Sequence, residues 1–335
     1  MPDLDPITLS SHIEVMKSLG VPGGVVEQNL RYMTVVGKLW QPADFLPDFR
    51  DRDKGKEDHK ALMDEAAGLS KALLVVAVGN WITEEGISSY QKALERVKGA
   101  EDSTGVDDAP WPTFTRAWAA EEKRHDTVLS IWGELSGVVN TRAVQVSVTH
   151  EIRNGFDTLG GNDPYKHIVY TSIQEDATRL SHLNTGLLAG KQGAALFERI
   201  CRAIASDESR HASFYRNILA AILEADPDGA MIAVKDMANE RIAMPASRLN
   251  DGLFEPYSKL AKLSGVYTRR DYLAILLRLM EFWKIPEQRV YSEEGKAAQE
   301  ELVRKMRIYS KVMGRDEKPP AVEDNDPVYR WVHSE

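Results

Sequence analysis

The chain has 335 residues, 43% hydrophobic and 28% charged, with one cysteine and a net charge of −9. That length holds one large domain or two medium ones with an ample core, and the acidic balance argues against generic binding to nucleic acid or to an anionic membrane surface. One cysteine excludes an internal disulfide framework, no apolar run approaches the roughly 20 residues that span a bilayer, and no signal-like segment opens the chain, so a soluble, unprocessed protein is expected.

Residues 1–58 combine amphipathic stretches at 12–19 and 25–36 with Trp40-Gln41-Pro42-Ala43-Asp44-Phe45-Leu46-Pro47, whose prolines forbid a helix. An extended cover is expected there, its aromatics laid on the body. The pattern over 60–98 predicts one long helix, broken at most at Gly86, and its centre at 73–82 is apolar nearly all round and therefore interior. After a loop at 99–108 and Pro110-Trp111-Pro112, helices are predicted over 113–135 and 141–156. The turn Gly160-Gly161-Asn162-Asp163-Pro164 leads to long helices over 165–189 and 193–223, whose short link makes them antiparallel. Further helices are predicted over 230–241, 269–283 and 294–312, and the proline-rich acidic tail from 314 is expected over the surface. No repeat, low-complexity tract or strand run appears. The reading is one all-α domain over 1–335, with an N-terminal cover (1–58), a helical body (59–313) and a tail (314–335).

Two strings carry chemistry, Glu122-Lys123-Arg124-His125 and Glu208-Ser209-Arg210-His211. Each sets a carboxylate and an imidazole three residues apart, one turn of a helix, where both can grip one metal ion. Glu122 to Glu208 and His125 to His211 span the same 86 positions. Trp118, Glu122, His125, Leu129 and Trp132 follow one apolar stripe, and Cys201, Ile204, Glu208, His211, Tyr215 and Ile218 follow another, so both pairs point inward. Buried Glu and His are costly without a charge partner. Salt-bridged surface helices are the bland alternative, and two inward copies of one string weigh against it. Carboxylate-bridged di-iron or di-manganese bundles use a Glu-x-x-His from each of two helices and a lone Glu from each of two others. For the lone positions Glu84 or Glu85 ends the apolar helix, a choice that helix phase leaves open, and Glu175 interrupts an apolar run. Four carboxylates with two imidazoles suit iron or manganese better than zinc. Cys201 reads as a buried core thiol.

The strings Trp40 to Pro47, Trp81-Ile82-Thr83-Glu84-Glu85, Thr115 to His125, Tyr170-Thr171-Ser172-Ile173-Gln174-Glu175, Asp207 to His211 and Asp226-Pro227-Asp228-Gly229 resemble, in order, the soluble acyl-acyl-carrier-protein desaturases typified by the plant stearoyl enzyme. The likeness runs from about residue 8 to about residue 331. It implies a ferritin-like four-helix di-iron core extended by additional helices. It also implies two iron ions held by Glu84, Glu122, His125, Glu175, Glu208 and His211, and so selects Glu84 over Glu85. Either Glu122 with Glu208, or Glu84 with Glu175, would be free to change coordination. Thr178 would lie near the oxygen-binding side, and Trp40, Asp207 and His125 would form a chain beyond the ligands. The implied reaction is dioxygen-dependent insertion of a cis double bond into a fatty acyl chain on acyl carrier protein, with two electrons from ferredoxin. Trp81, Ile82, Ile168 and Thr171 would line the acyl tunnel, with core packing as their alternative role. The family forms homodimers, and a member would reside in a bacterial cytoplasm or a plastid stroma.

Asn80, Trp81, Asp126, His167 and Ile168 depart from the plant pattern, which leaves chain length and double-bond position open. His167 is not expected to bind metal, because the six-residue set is complete without it. An acidic carrier needs a basic docking patch on this acidic chain; Arg241, Lys259, Lys262, Arg269, Arg270 and Arg278 are the compositional candidates. Two other readings are a related di-iron hydroxylase of tethered acyl chains and a non-enzymatic, ferritin-like iron-handling protein.

Overall fold

The computed structural model describes residues 3–240, 242, 247, 251–313 and 326–333. Among these residues the helices are α1 (Pro6–Leu19), α2 (Val25–Asn29), α3 (Arg52–Ala67), α4 (Lys71–Glu85), α5 (Ile87–Leu94), α6 (Pro110–Ser136), α7 (Thr141–Asn154), α8 (Pro164–Lys191), α9 (Ala195–Ala225), α10 (Pro227–Asn239), α11 (Phe254–Leu263), α12 (Arg269–Phe282) and α13 (Glu293–Val312). The starts are written locally. Asp5, Asp51, Ser70, Asn140, Asp163, Asp226 and Ser292 each accept a backbone N–H of the first turn, and Thr268 and Asp271 cap α12 reciprocally. Prolines open α6, α8 and α10, where a missing N–H costs nothing. No described helix is long and apolar enough to cross a membrane.

Four helices make the core, in the ring α4, α6, α9, α8. Partners that ascend on one helix descend on its neighbour: His125 faces Asp207 while Glu121 faces His211, and Glu84 faces His182 while Asn80 faces Ser181 and Thr185. Adjacent helices are therefore antiparallel. α8 and α9, joined by a short link, pack closely at Gly186, where an added Cβ would press on Cys201. The apolar interior falls into two clusters. One gathers Trp111, Phe114, Tyr165, Ile173 and Phe214, and the other Leu73, Val76, Ile82, Leu129 and Phe197. Between them, near the middle of α6, α8 and α9 and at the C-terminal end of α4, lies a polar layer of buried glutamates and histidines. Burying Phe114 and Phe214 face to face, ring centroids 3.4 Å apart, ties α6 to α9 beside that layer.

Several expected elements change form. The helix predicted over 60–98 is three, because Gly68 closes α3, Ser70 caps α4 and Gly86 separates α4 from α5. The Trp40 to Pro47 cover is not wholly extended: Pro42–Asp44 makes one 3₁₀ turn with Pro42 at its first position. α11 was not anticipated. The tail does not lie wholly over the surface, since Pro327–Trp331 forms a 3₁₀ turn whose Trp331 is fully buried and donates its indole N–H to Ser147 Oγ at 2.9 Å. Residues 314–325 and Arg241 lie outside the described residues. Cys201 is buried, and burial pushes its thiol pKa up, as suits a core residue.

α11 presses its Tyr257 ring onto α4 at Gly79, where a Cβ would overlap the ring. Gly79→Ala gains about 1 kcal/mol of helix propensity but is expected to lose more to overpacking, about 1–3 kcal/mol. A thermal melt should show a lower Tm, and an unchanged one would mean that this contact is slack.

Candidate metal centre

Each helix of the ring delivers its ligand candidates to the polar layer: Glu84 from α4, Glu122 and His125 from α6, Glu175 from α8, Glu208 and His211 from α9. All six residues are at most 6% exposed. They form two interlocking sets, Glu84, Glu122, His125 and Glu208, and Glu122, Glu175, Glu208 and His211, each with its donor atoms within 4.8 Å of one another. Glu122 and Glu208 belong to both. His125 Nδ1 lies 3.2 Å from Glu122, 3.5 Å from Glu208 and 3.6 Å from Glu84. His211 Nδ1 lies 2.8 Å from Glu122, 3.6 Å from Glu175 and 3.7 Å from Glu208. Glu85, the other candidate of its pair, turns away and accepts the Trp81 indole N–H at 2.9 Å.

The far sides of the imidazoles repeat one device. His125 Nε2 meets Asp207 at 3.2 Å, and His211 Nε2 meets Glu121 at 3.2 Å. Arg124 reaches across to Asp207 at 2.6 Å, and Arg210 to Glu121 at 2.6 Å. Each helix thus supplies the acid that orients the other helix's histidine, leaving Nδ1 for the centre. Trp40 joins from the cover. It donates to Asp207 at 3.0 Å, lies nearly parallel to the His125 ring and carries the Arg124 guanidinium 4.4 Å above its own. The outer oxygens of the lone glutamates are held as well, Glu175 by the Trp118 indole at 3.1 Å and Glu84 by His182 at 2.6 Å. Sequence reasoning missed Glu121, His182 and the two arginines as site residues. The signals were present: Glu121 and Asp207 share the 86-position spacing of the ligand pairs, and His182 lies seven residues after Glu175, on the same helix face.

Burial alone would neutralise these groups, and it pushes Glu175 well above the usual carboxylate range. At Glu84 and Glu208 the neighbouring histidines overcome burial and hold the carboxyls below that range. Burial opposes charge on both imidazoles too. Glu122 and Asp207 around His125, and Glu121 and Glu122 around His211, nevertheless raise both rings well above the ordinary histidine value. Despite its burial, Asp207 is held well below the ordinary range by His125, Arg210 and Arg124.

Four buried atoms aimed into the layer make no hydrogen bond of acceptable angle, although His211 Nδ1 and Glu122 Oε1 stand 2.8 Å apart: His125 Nδ1, His211 Nδ1, Glu122 Oε1 and Glu208 Oε2. Buried polar atoms are rarely left so, and a metal is what satisfies such atoms together. The charges also match. Arg124 and Arg210 balance Asp207 and Glu121, while two divalent cations would balance the four glutamates. The donor set fits metal binding.

A narrow cavity of about 40 Å³ reaches Glu84, Glu122, Glu175 and Glu208, with Thr171 and Thr178 on its wall. Thr178 donates its hydroxyl to the Glu175 carbonyl at 3.0 Å. Of the four tunnel residues expected from the sequence, only Thr171 lines this cavity. Trp81 packs on Gly133, and Ile82 and Ile168 sit in the apolar clusters. His167 is tied to the Thr158 hydroxyl and faces the Gly161 carbonyl at 3.3 Å, outside both ligand sets. Asp126, paired with Lys123, is raised to about 6 by burial and by Glu85. A wider cavity of about 570 Å³ opens between α8, α11 and α12 and shares Gln174 with the narrow one.

Comparison with known proteins follows the same line. The fatty acid desaturase profile matches residues 11–333. The chain is 43% identical to the chloroplastic stearoyl-[acyl-carrier-protein] 9-desaturase of Gossypium hirsutum over 295 residues, 87% of this chain and 73% of that one. It is 39% identical to the seed-specific chloroplastic enzyme of Brassica napus over 331 residues, 96% of this chain and 80% of that one. In fold it is similar to the X-ray structure of DesA2 from Mycobacterium tuberculosis H37Rv, with a TM-score of 0.51 at 15% identity, covering 86% of this chain and 98% of that one. With its profile match spanning nearly the whole sequence, the chain belongs to the fatty acid desaturase family.

Proposed function

We propose that this protein desaturates a fatty acyl chain tethered to acyl carrier protein, using dioxygen and two electrons delivered by ferredoxin. The observation that carries the reading is the pair of interlocking ligand sets that share Glu122 and Glu208, in a chain about 40% identical to stearoyl-[acyl-carrier-protein] desaturases. Two irons would be held by Glu84, Glu122, His125, Glu175, Glu208 and His211, of which Glu122 and Glu208 belong to both ligand sets. Iron supplies the reduction of dioxygen and the oxidising strength that no side chain has.

The remaining work falls to the chain itself. Asp207 and Glu121 hold His125 and His211 by their far nitrogens, and Trp40 closes the cover over Asp207. An acyl chain admitted through the wider cavity passes Gln174 before it meets Thr171, Thr178 and the four glutamates. Lys262 and Arg269 stand at that cavity, with Lys259 and Arg270 exposed beside them, a basic patch suited to an acidic carrier. Arg278 is set apart from that patch by its bond to Asp176. Thr178 beside Glu175 is proposed to face the oxygen side. A homodimer, and a cytoplasmic or stromal setting, complete the reading.

The decisive experiment supplies the iron-loaded protein with reductant, ferredoxin, its reductase and a panel of acyl-carrier-protein thioesters, then analyses products by mass spectrometry. Loss of two hydrogens from one chain length is expected. Gain of one oxygen would make the protein a hydroxylase instead, and no oxidised acyl product at any length would overturn the reading.

Iron loading should give about two ions per chain, by the two ligand sets. Asp207→Asn and Glu121→Gln are each expected to lower iron affinity or turnover by about 10- to 100-fold while the fold survives, as removal of such orienting carboxylates does elsewhere. Iron retained per chain during graded chelation measures the effect; wild-type retention and turnover in both variants would refute the orienting role.

A further inference from the structure

Glu151, on α7, is 2% exposed and takes no part in the ligand sets. Its Oε1 lies 2.7 Å from Tyr90 Oη, while Oε2 has no hydrogen-bond partner. The same Tyr90 hydroxyl lies 2.7 Å from the Thr83 carbonyl. A carbonyl only accepts, and a phenol has one hydrogen to give. If Tyr90 donates to Thr83, its contact with Glu151 places two oxygens together that require a second proton. Only the Glu151 carboxyl can carry it.

The surroundings agree. The groups that face Glu151 are acids: Glu84 and Glu85 from α4, Tyr90 from α5 and Tyr257 from α11. One turn back, Ser147 bonds Asp251, whose cation partner Arg330 is thereby engaged. Among the described residues no ion pair reaches Glu151. Burial, opposed by the Tyr90 bond and reinforced by Glu84 and Glu85, raises its carboxyl to about 8. Tyr90 itself lines the narrow cavity with the four glutamates, its hydroxyl seated against Gly86, where a Cβ would collide with it.

We infer that Glu151, through Tyr90, is a proton donor to the cavity in which dioxygen is reduced. The inference rests on the desaturase reading. One turnover consumes one dioxygen, two electrons, two protons and two substrate hydrogens, and yields an alkene and two waters. In the proton step the Glu151 O–H bond breaks and its proton moves to Tyr90 Oη. The Tyr90 hydroxyl turns from the Thr83 carbonyl toward the cavity it lines, and its own O–H proton passes to the oxygen being reduced. Glu151 is left as a carboxylate among acids, an arrangement that draws a proton back from water before the next cycle.

Glu151→Gln keeps the size and can still donate to Tyr90, but its amide has no proton to transfer at this pH; Tyr90→Phe removes the relay oxygen. Infrared spectroscopy of the protein should show a protonated-carboxyl band at pH 7 that fades as pH rises through about 8 and is missing from Glu151→Gln. Both variants should keep wild-type iron content and Tm. Each should lose about 100-fold in alkene formation, the low end for a positioned acid, and consume more electrons per alkene. The double variant should be no worse than either single one. Absence of the band at pH 7, or a wild-type rate and electron-to-alkene ratio in Glu151→Gln, overturns the inference. If the wild-type protein oxidises no acyl chain, the desaturase reading falls and the donor role with it, while the infrared band still decides the protonation of Glu151.

Discussion

Holding four glutamates and two histidines at one buried level of a helix bundle is the constraint on which the rest of the structure depends. Isolated buried charges cost several kcal/mol each, so that level must supply its own compensation. It does so in two tiers. Inside, carboxylates and imidazole Nδ1 atoms converge into two sets that share Glu122 and Glu208. Outside, Asp207 and Glu121 take the Nε2 sides, and Arg124 and Arg210 neutralise them across the α6 to α9 interface.

That polar layer organises the packing around it. The apolar interior is divided into a cluster on either side, so α6, α8 and α9 change apolar partners along their length, while α4 stays in one cluster and ends at the layer. Peripheral elements are recruited to seal the layer. Trp40 brings the N-terminal cover down on Asp207 and His125, while Thr34 donates its backbone N–H to Glu121 at 2.6 Å. These contacts help bury the centre, where electrostatic interactions are stronger than in water. Burial likewise raises the carboxyl of Glu151, which has no cation partner among the described residues.

Much of this was legible in the chain. The two Glu-x-Arg-His strings fall on helix stripes that carry Trp118 and Trp132 in one case and Ile204 and Ile218 in the other, so their inward direction follows from 3.6-residue periodicity alone. The starts of α7, α8, α12 and α13 were legible to within a residue, whereas α1 and α3 begin earlier than expected, at Pro6 and Arg52. The failures were at weak breaks and covered ends. Gly68 and Ser70 interrupt a pattern that remains apolar on both sides, and Trp331 is buried by a groove between α4 and α7 that no local signal announces.

The sequence by itself determined an all-helical chain and the ligand types, because periodicity, capping and i to i+3 spacing are local properties of a helix. Only the tertiary structure decided which carboxylates meet. It turned Glu84 toward His125 and Glu85 toward Trp81, set Glu121 against the histidine of the opposite helix, and took Trp81, Ile82 and Ile168 away from the cavity that Thr171 lines. Those choices depend on the antiparallel register of four separate helices. That register is fixed by packing between residues about 40 to 130 positions apart, where no local spacing rule reaches.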